Sequence, residues 1–537
     1  MSLTPINVYG AAFSYWRHLQ EQLAQTILDY ADACSALKTA LEILPVDYST
    51  RDQQAEAVFD LHSLLSALTS YEQTLQKARF SLMATRKATN GLIPINSLPI
   101  EILATIFVSV VQQGADAICN LNLVCKLWRR IALQTPACWS WIALPVGLKS
   151  HGAYDYTEVW AKRAQNQPLR LSIWEYQKLP VKFDNEVDAS GMLHSLVPLM
   201  SRVYKLELEA KGVGAGELVP EILGCWVQHG STGTAETLEL DIPVKLAAVR
   251  LSADSGHLGH KWPSPDAYES FFGSLHSLSV VNAKLDRRLG FYSGLVNLHL
   301  GPIDNLTAYT QWDIAAILKE CSKLSSLAIV DHHIKLDREN PFLPNAIALN
   351  DLKVLRLESR GPPKNIWIFL QIITSSSDSI RMSVTFEEHP KFIPAARSFL
   401  ERFKVTVLYI DSPSPESRYP CVSPVFVRMQ HLEHLVIRNC LTFDGNWQSS
   451  AAHADFWPRL DELSLMNDTL DRQDLQQLLS IRVPRTVWLW ETKWDDILKK
   501  EVVEEISRHG ANVIVVEREQ DMLVRLREFA AKPLGYY

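Results

Sequence analysis

The hexapeptide LVNLHL, from Leu295 to Leu300, is one copy of a Leu-x-x-Leu-x-Leu phrase that recurs in the C-terminal part of the chain. Because side chains alternate along a strand, the spaced leucines of such a phrase share one apolar side. Each phrase therefore predicts a short β-strand that is buried on one face. Close copies begin at Leu275, Leu295, Leu324, Leu352, Leu432 and Leu460. Weaker copies lie at Val203–Leu208, Thr237–Leu240, Met382–Phe386, Val405–Ile410 and Val487–Leu489.

The intervals between the phrases predict how the strands are connected. The first leucines of the first four copies are 20, 29 and 28 residues apart, and periods of about 20–29 residues are typical of leucine-rich repeats. One repeat cannot bury its own apolar face, so neighbouring repeats must stack. Residues 146–537 are therefore predicted to form an α/β leucine-rich-repeat solenoid with parallel strands, which binds a protein target. Candidate connecting helices are Trp312–Cys321, Pro390–Phe403, Leu470–Leu479 and Asp495–His509.

The repeats depart from the usual pattern in two ways. The asparagine that commonly follows the third leucine is mostly missing, and only Asn282, Asn439 and Asn467 partly echo it. The repeat lengths are also uneven. An irregular α/β domain with several leucine-rich strands therefore remains the alternative to a solenoid.

Aromatic and histidine residues in the same region have competing interpretations. Trp488, Trp490 and Trp494 lie near the C-terminal end and favour a cap on the last repeat, although tryptophan is also enriched where proteins grip their targets. His332 and His333 are adjacent, but no third ligand accompanies them, so a loop pair is favoured over a metal site.

A different pattern occupies residues 96–142. Leu98-Pro99-Ile100-Glu101-Ile102-Leu103 predicts a helix start, because proline is tolerated in the first turn and an acidic residue there faces the positive end of the helix dipole. A second helix is expected with its apolar face at Leu121, Val124, Cys125, Trp128, Ile131 and Ala132. A proline-started turn, Thr135-Pro136-Ala137-Cys138-Trp139, follows. A helical unit this small has a marginal core of its own.

The string LPIEILATIF…LNLVCKLWRRIALQTPACWSWI resembles the F-box, and especially the F-box proteins of fungi. That resemblance implies docking to a Skp-type adaptor, which connects to a cullin–RING ubiquitin ligase. Lys126, Arg129 and Arg130 fall outside the apolar face and are expected in solvent. By the resemblance, the adaptor interface or its supporting core comprises Leu98, Pro99, Ile102, Leu103, Ile106, Leu121, Val124, Trp128, Pro136 and Trp139.

The first 90 residues carry two helical stripes. The first has apolar residues at steps of three and four from Trp16 to Leu44, and the second runs from Val58 to Leu82. Pro45 and the residues after it separate the two stripes. Residues 1–90 are predicted to form a helical hairpin, with a dimeric coiled coil as the alternative. Asn90-Gly91 and Pro94 end this region, so that residues 91–145 form the F-box.

The overall composition is that of a soluble globular protein. Hydrophobic residues make up 47% and charged residues 21% of 537, and the net charge is −7, which favours neither nucleic acid nor an anionic membrane as a partner. The eight cysteines have no zinc spacing and are expected to be buried. No secretory signal is recognisable, so a cytoplasmic or nuclear location is expected.

These patterns together predict an adaptor and not an enzyme. No phosphate-binding loop, nucleophile elbow or zinc-protease motif is found, and no cofactor is expected. The predicted function is a substrate-recognition subunit of a Skp–cullin–F-box ubiquitin ligase. A repeat scaffold that binds proteins without driving their degradation is the alternative, and an unrecognised enzyme in the C-terminal region is a third hypothesis.

Overall fold

The structure, a computed structural model, divides into two contact units, Met1–Leu98 and Pro99–Tyr537. The structure describes individual residues between 18 and 39 and between 59 and 83, and then residues 94–146, 152–175, 186–209, 215–241, 264–283, 290–302, 309–330, 334–337, 345–359, 365–385, 390–412, 429–439, 460–466, 469–470, 484–490, 493–494 and 499–516.

The first unit is helical at every described position between 18 and 83. The pKa of Tyr30 is raised by burial, by the hydrogen bond and charge of Cys34 and by the charge of Tyr71. The hairpin and its boundary at residue 90 stay predictions, and most of the stripe residues lie outside the described part of the chain.

The second unit begins with three short helices and a 3₁₀ turn. They are α1 (Ile100–Val111), α2 (Ala117–Val124), α3 (Lys126–Gln134) and the 3₁₀ turn Pro136–Trp139. The prediction of a single helix across residues 121–132 is wrong, because Cys125 is extended, with φ −159° and ψ 170°. The Cys125 sulfur accepts a hydrogen bond from the Trp128 backbone N–H at 3.5 Å. Cys125 thus ends α2 and caps the start of α3.

Fourteen of the described strands form one parallel sheet in which neighbours in sequence are neighbours in space. The strands are β1 (Trp141–Val146), β2 (Leu169–Glu175), β3 (Val203–Glu209), β4 (Thr237–Asp241), β5 (Ser277–Val281), β6 (Asn297–Leu300), β7 (Ser326–Val330), β8 (Val354–Glu358), β9 (Ile380–Thr385), β10 (Val405–Asp411), β11 (His434–Arg438), β12 (Glu462–Met466), β13 (Thr486–Trp490) and β14 (Asn512–Val516).

Helices connect many of these strands. They are α4 (Gly152–Ala164), α5 (Glu186–Met200), α6 (Ala215–His229), α7 (Pro265–Phe272), α8 (Gln311–Glu320), α9 (Trp367–Ile372), α10 (Phe392–Arg402) and α11 (Lys499–Arg508). Three of the four predicted helices are confirmed as α8, α10 and α11. The fourth, Leu470–Leu479, is wrong at its first residue, because Leu470 ends a two-residue strand, Thr469–Leu470. Its other residues lie outside the described part.

The repeated leucines bury one side of the sheet, as predicted. In β4, for example, Leu238 and Leu240 are buried while Thr237, Glu239 and Asp241 are partly exposed. Helix side chains complete the core on the leucine side, and the indole of Trp226 in α6 donates a hydrogen bond to the Val203 carbonyl at 3.2 Å. The predicted mixed α/β fold with leucine-rich parallel strands is confirmed.

Two of the asparagines that echo the repeat pattern turn the chain at the ends of strands. Asn282 and Asn439 follow β5 and β11 with φ of 61° and 53°, a left-handed conformation that asparagine tolerates better than most residues. The Asn439 side chain donates to Asp411 Oδ1 at 3.0 Å, and its backbone N–H donates to the Met466 carbonyl at 3.1 Å. Asn439 therefore links β10 to β12 at the end of β11. Asn467 lies outside the described residues.

The expectation that the cysteines are buried is only partly met. Cys138 and Cys321 are buried, whereas Cys34 and Cys119 are exposed. Cys119 is exposed because it lies on the solvent side of α2, between the buried Ile118 and Leu121.

Candidate functional site

An exposed apolar surface lies on α1 and α2, which pack against each other. Ile102 is 49% exposed, Val124 is 55% exposed and Leu123 is 82% exposed. Ile100 and Val110 of α1 are exposed as well. Exposed apolar residues on two packed helices are candidates for a protein-interaction site. We call Ile100, Ile102, Val110, Leu123 and Val124 the apolar surface.

Some of the predicted interface residues form the core beneath this surface. Leu103 and Leu121 are buried, and Ile106 is half-buried. The Trp128 ring packs against Phe107 with 4.9 Å between centroids. These residues hold α1, α2 and α3 together, so their role is to support the surface.

Leu98 and Pro99 precede α1. Both are exposed, and Pro99 is extended, with φ −52° and ψ 146°. The Pro99 carbonyl accepts hydrogen bonds from the N–H groups of Ile102 and Leu103, each at 3.1 Å. Proline costs the helix no hydrogen bond at this position, because an N–H there would have no acceptor within the helix, as the sequence predicted.

Sequence reasoning missed three residues of the apolar surface: Ile100, Val110 and Leu123. Val110 could have been found, because it continues the four-residue spacing of Ile102 and Ile106. Leu123 could have been found as well, because it follows the buried Leu121 by two residues and so lies on the opposite side of the helix from the predicted apolar face.

The exposed side of α3 is basic. Lys126, Arg129 and Arg130 are all exposed, as predicted for a solvated face. Pro136 is half-buried in the 3₁₀ turn, and Trp139 is only 2% exposed. The Trp139 indole donates to the Ala132 carbonyl at 2.8 Å. The Trp139 ring is therefore closed to a docking partner in this structure.

A second candidate surface is the side of the sheet opposite the leucines, which we call the second side. Its first strands carry a charge network: Glu207 accepts from Arg170 at 2.6 Å and from Lys205 at 2.8 Å. Lys205 also pairs with Glu239 at 2.6 Å. Burial alone would raise the pKa of Glu207, but the hydrogen bond from Arg170 and the charge of Lys205 outweigh it and lower that pKa. Glu207 is therefore ionised at neutral pH.

The middle of the second side holds a neutral histidine. Ser279 Oγ and His299 Nδ1 are 2.8 Å apart across β5 and β6. Burial and the nearby Arg356 lower the pKa of His299 to about 4. Arg356 is paired with Glu358 at 2.8 Å. His299 is consequently uncharged at neutral pH. Its Nδ1 shares one hydrogen bond with the Ser279 hydroxyl, and the tautomer of the ring decides which of the two donates.

An apolar cluster lies among the last strands of the second side. Val436, Met466 and Trp490 are buried there, with Tyr409, Trp488 and Val516 packed against them. The interpretation of Trp488 and Trp490 as a cap on the last repeat is wrong, because β14 follows their strand and both residues belong to this cluster. Trp494 lies in a two-residue strand, Lys493–Trp494, beside Thr469–Leu470.

A carboxylate with an unusual pKa borders this apolar cluster. Burial raises the pKa of Asp411 to about 6, although Arg438 and Asn439 act in the opposite direction. The Arg438 guanidinium lies 3.7 Å from Asp411. The raised value reflects solvent exclusion at this end of the second side.

In the described part of the chain, no cluster of three or more histidine, cysteine, aspartate or glutamate residues could hold a metal ion. His332 and His333 lie outside that part. Among the described helices, none combines the length and apolar character that crossing a bilayer requires.

Comparison with known proteins identifies the helical unit. Residues 95–145 match the F-box-like family. No curated protein shows significant similarity to the sequence. Among solved structures, the leucine-rich repeat-containing protein LegL7 from Legionella pneumophila is similar, with 10% identity, a TM-score of 0.34, and coverage of 69% of this chain and 97% of that one. The repeat architecture of the present chain rests on its own strand order and register.

Proposed function

We propose that this protein is a substrate-recognition subunit of a Skp–cullin–F-box ubiquitin ligase. The observation that carries the proposal is the apolar surface, which lies on the F-box-like helices at residues 95–145. Apolar side chains left in solvent on two packed helices are stabilised when a partner covers them. The partner proposed is a Skp-type adaptor, and through it a cullin–RING ligase.

In this proposal the ten residues that the sequence assigned to the adaptor interface divide into two groups. Leu98, Pro99, Ile102 and Val124 contact the adaptor, and Ile100, Val110 and Leu123 extend the contact. The remaining six support the helices from within: Leu103, Ile106, Leu121, Trp128, Pro136 and Trp139. A substitution in the first group should weaken adaptor binding without lowering the stability of the protein. A substitution in the second group should lower that stability.

The leucine-rich sheet is proposed to hold the protein target. Repeat sheets offer extended surfaces on which each strand contributes side chains. The chain would act by proximity alone, since holding a target beside a ubiquitin-charged enzyme raises the effective concentration of the reacting groups. Neither a cofactor nor catalytic residues of its own are required. The proposal includes a cytoplasmic or nuclear location, where such a ligase would meet its targets.

The test is binding of the full chain to a purified Skp-type adaptor. The intact chain should bind, and Leu98→Ala combined with Pro99→Ala should bind much more weakly. Val159→Ala is the matched control, because Val159 is an exposed apolar residue of α4 outside the apolar surface. No binding by the intact chain would remove the proposal.

A repeat scaffold without ligase activity is the second candidate, and a separate assay distinguishes it. The chain, adaptor, cullin, RING protein, ubiquitin and charging enzymes would be combined with proteins that co-purify with the chain. Ubiquitin transfer that depends on the chain supports the ligase subunit. Binding to the adaptor without any transfer supports the scaffold.

A further inference from the structure

The chain passes from the F-box-like helices into the sheet without a linker. One residue, Ser140, separates the 3₁₀ turn from β1. Its carbonyl accepts a hydrogen bond from the Arg170 backbone N–H at 2.8 Å, and its hydroxyl donates to the Ala137 carbonyl at 2.8 Å. β1 then pairs with β2 along its whole length. The predicted boundary at residues 145 and 146 therefore falls inside a strand of the sheet.

Trp139 contacts both the last of the F-box-like helices, α3, and the first helix of the repeats, α4. Its indole N–H bonds to Ala132 in the last part of α3. The Trp160 ring of α4 meets the Trp139 ring edge-on, with centroids 5.2 Å apart and planes at 82°. The guanidinium of Arg163, also in α4, lies 4.3 Å from the centre of the Trp139 ring. One buried side chain thus contacts α3 and α4 together.

Two residues later, Trp141 repeats this arrangement inside the sheet. The Trp141 indole donates to Ser172 Oγ at 2.7 Å, and the Arg170 guanidinium covers the Trp141 ring at 3.4 Å from its centre. Flexible boundaries between domains occur in exposed polar segments that few contacts cross. Hinges need residues free to change φ and ψ. Residues 136–146 are not an exposed polar segment, and their hydrogen bonds and ring contacts leave them little freedom to change φ and ψ.

We propose that Trp139 is a positioning residue, which, through Trp160 and Arg163, fixes the direction of the F-box-like helices relative to the parallel sheet. Trp139 would then set the distance and angle between whatever the helices bind and whatever the sheet binds. The consequence for a ligase rests on the proposed function. The rigid junction itself does not.

The test measures the distance between two spin labels in the full chain. The labels are attached to non-natural residues at Gln112, just after α1, and at Lys353, just before β8, both exposed. The wild-type chain should give one narrow distance distribution. Trp160→Ala, which removes the ring beside Trp139, should broaden the distribution about twofold, because the helices then turn about residues 139–141. Trp160→Phe keeps an aromatic contact and should restore the narrow distribution.

Two controls separate positioning from folding and from adaptor docking. Trp160→Ala should bind the Skp-type adaptor as the wild type does, since Trp160 is not part of the apolar surface. Leu123→Ala should bind the adaptor about 30-fold more weakly and keep the narrow distribution. A broad distribution in the wild-type chain, or a narrow one in Trp160→Ala, would overturn the proposal. A Trp160→Ala chain with a lowered melting temperature and an unchanged distribution would reduce Trp139 to a purely stabilising role and likewise overturn it.

Discussion

Replacement of Leu123 by alanine tests the apolar surface at its most exposed point. Leu123 is 82% exposed, so truncating it removes little packing from the free protein. Three carbon atoms are lost, and each contributes about 0.8 kcal/mol when it leaves water. Scaled by the 82% exposure, the loss on adaptor binding is about 2 kcal/mol. The dissociation constant should therefore rise about 30-fold.

The assay is titration calorimetry of the full chain with a purified Skp-type adaptor, accompanied by thermal unfolding of each variant alone. Leu123→Ala should keep the wild-type melting temperature, because a surface substitution of this kind changes stability by about 0.5 kcal/mol or less. Leu103→Ala should show the opposite behaviour, since Leu103 is 0% exposed. Its cavity should cost about 2–5 kcal/mol of folding free energy.

Val159→Ala provides the matched surface control. Val159 is 44% exposed on α4, and its truncation should leave the dissociation constant unchanged. The reasoning fails if Leu123→Ala binds the adaptor as tightly as the wild type, or if Val159→Ala weakens binding to the same extent. In the second case the loss would reflect a general effect of truncating surface residues, not contact at the apolar surface.

Two predictions concern the end of the second side. Since burial raises the folded-state pKa of Asp411 to about 6, the folded state binds a proton more readily than the unfolded chain, and acidification from about pH 7 to pH 4 should stabilise it by about 2–3 kcal/mol. Asp411→Asn should abolish this contribution. The assignment would be contradicted if the melting temperatures of the wild type and of Asp411→Asn fell together over the same pH interval. Asn439→Ala should lower the free energy of unfolding by about 1–2 kcal/mol, because alanine tolerates the φ of 53° poorly and cannot bond to Asp411. Asn439→Gly should cost less than Asn439→Ala in urea unfolding, and equal costs would mean that backbone strain does not matter there.

The strands could be predicted from the sequence because their signal is local. Leu435 and Ile437 point to the same side of β11 whatever surrounds them, and the recurrence of the phrase makes neighbouring strands equivalent. The helix break at Cys125 could not be predicted in this way. The apolar spacing from Leu121 to Ala132 fits one continuous helix, and only the extended backbone at Cys125 divides it.

Among the predicted adaptor-interface residues, exposure could be predicted where it depends on nearby sequence and not where it depends on a distant residue. Pro99 and Ile102 were identified from a short motif that the structure presents at the surface. Trp139 matched the same motif, yet it is buried because Trp160, 21 positions further along, packs against it. Such a contact between distant residues leaves no mark in the spacing of either one.

The strand order of the sheet has a consequence for how the molecule assembles. Because each of the fourteen strands of the large sheet lies beside the strands that precede and follow it within that sheet, none of its described pairings requires distant repeats to meet first, and folding can begin at any repeat and spread in both directions. Stability is then a sum of individual repeats and of the interfaces between neighbours. A chain shortened by β14 would expose the edge of β13 and leave every earlier strand pair intact.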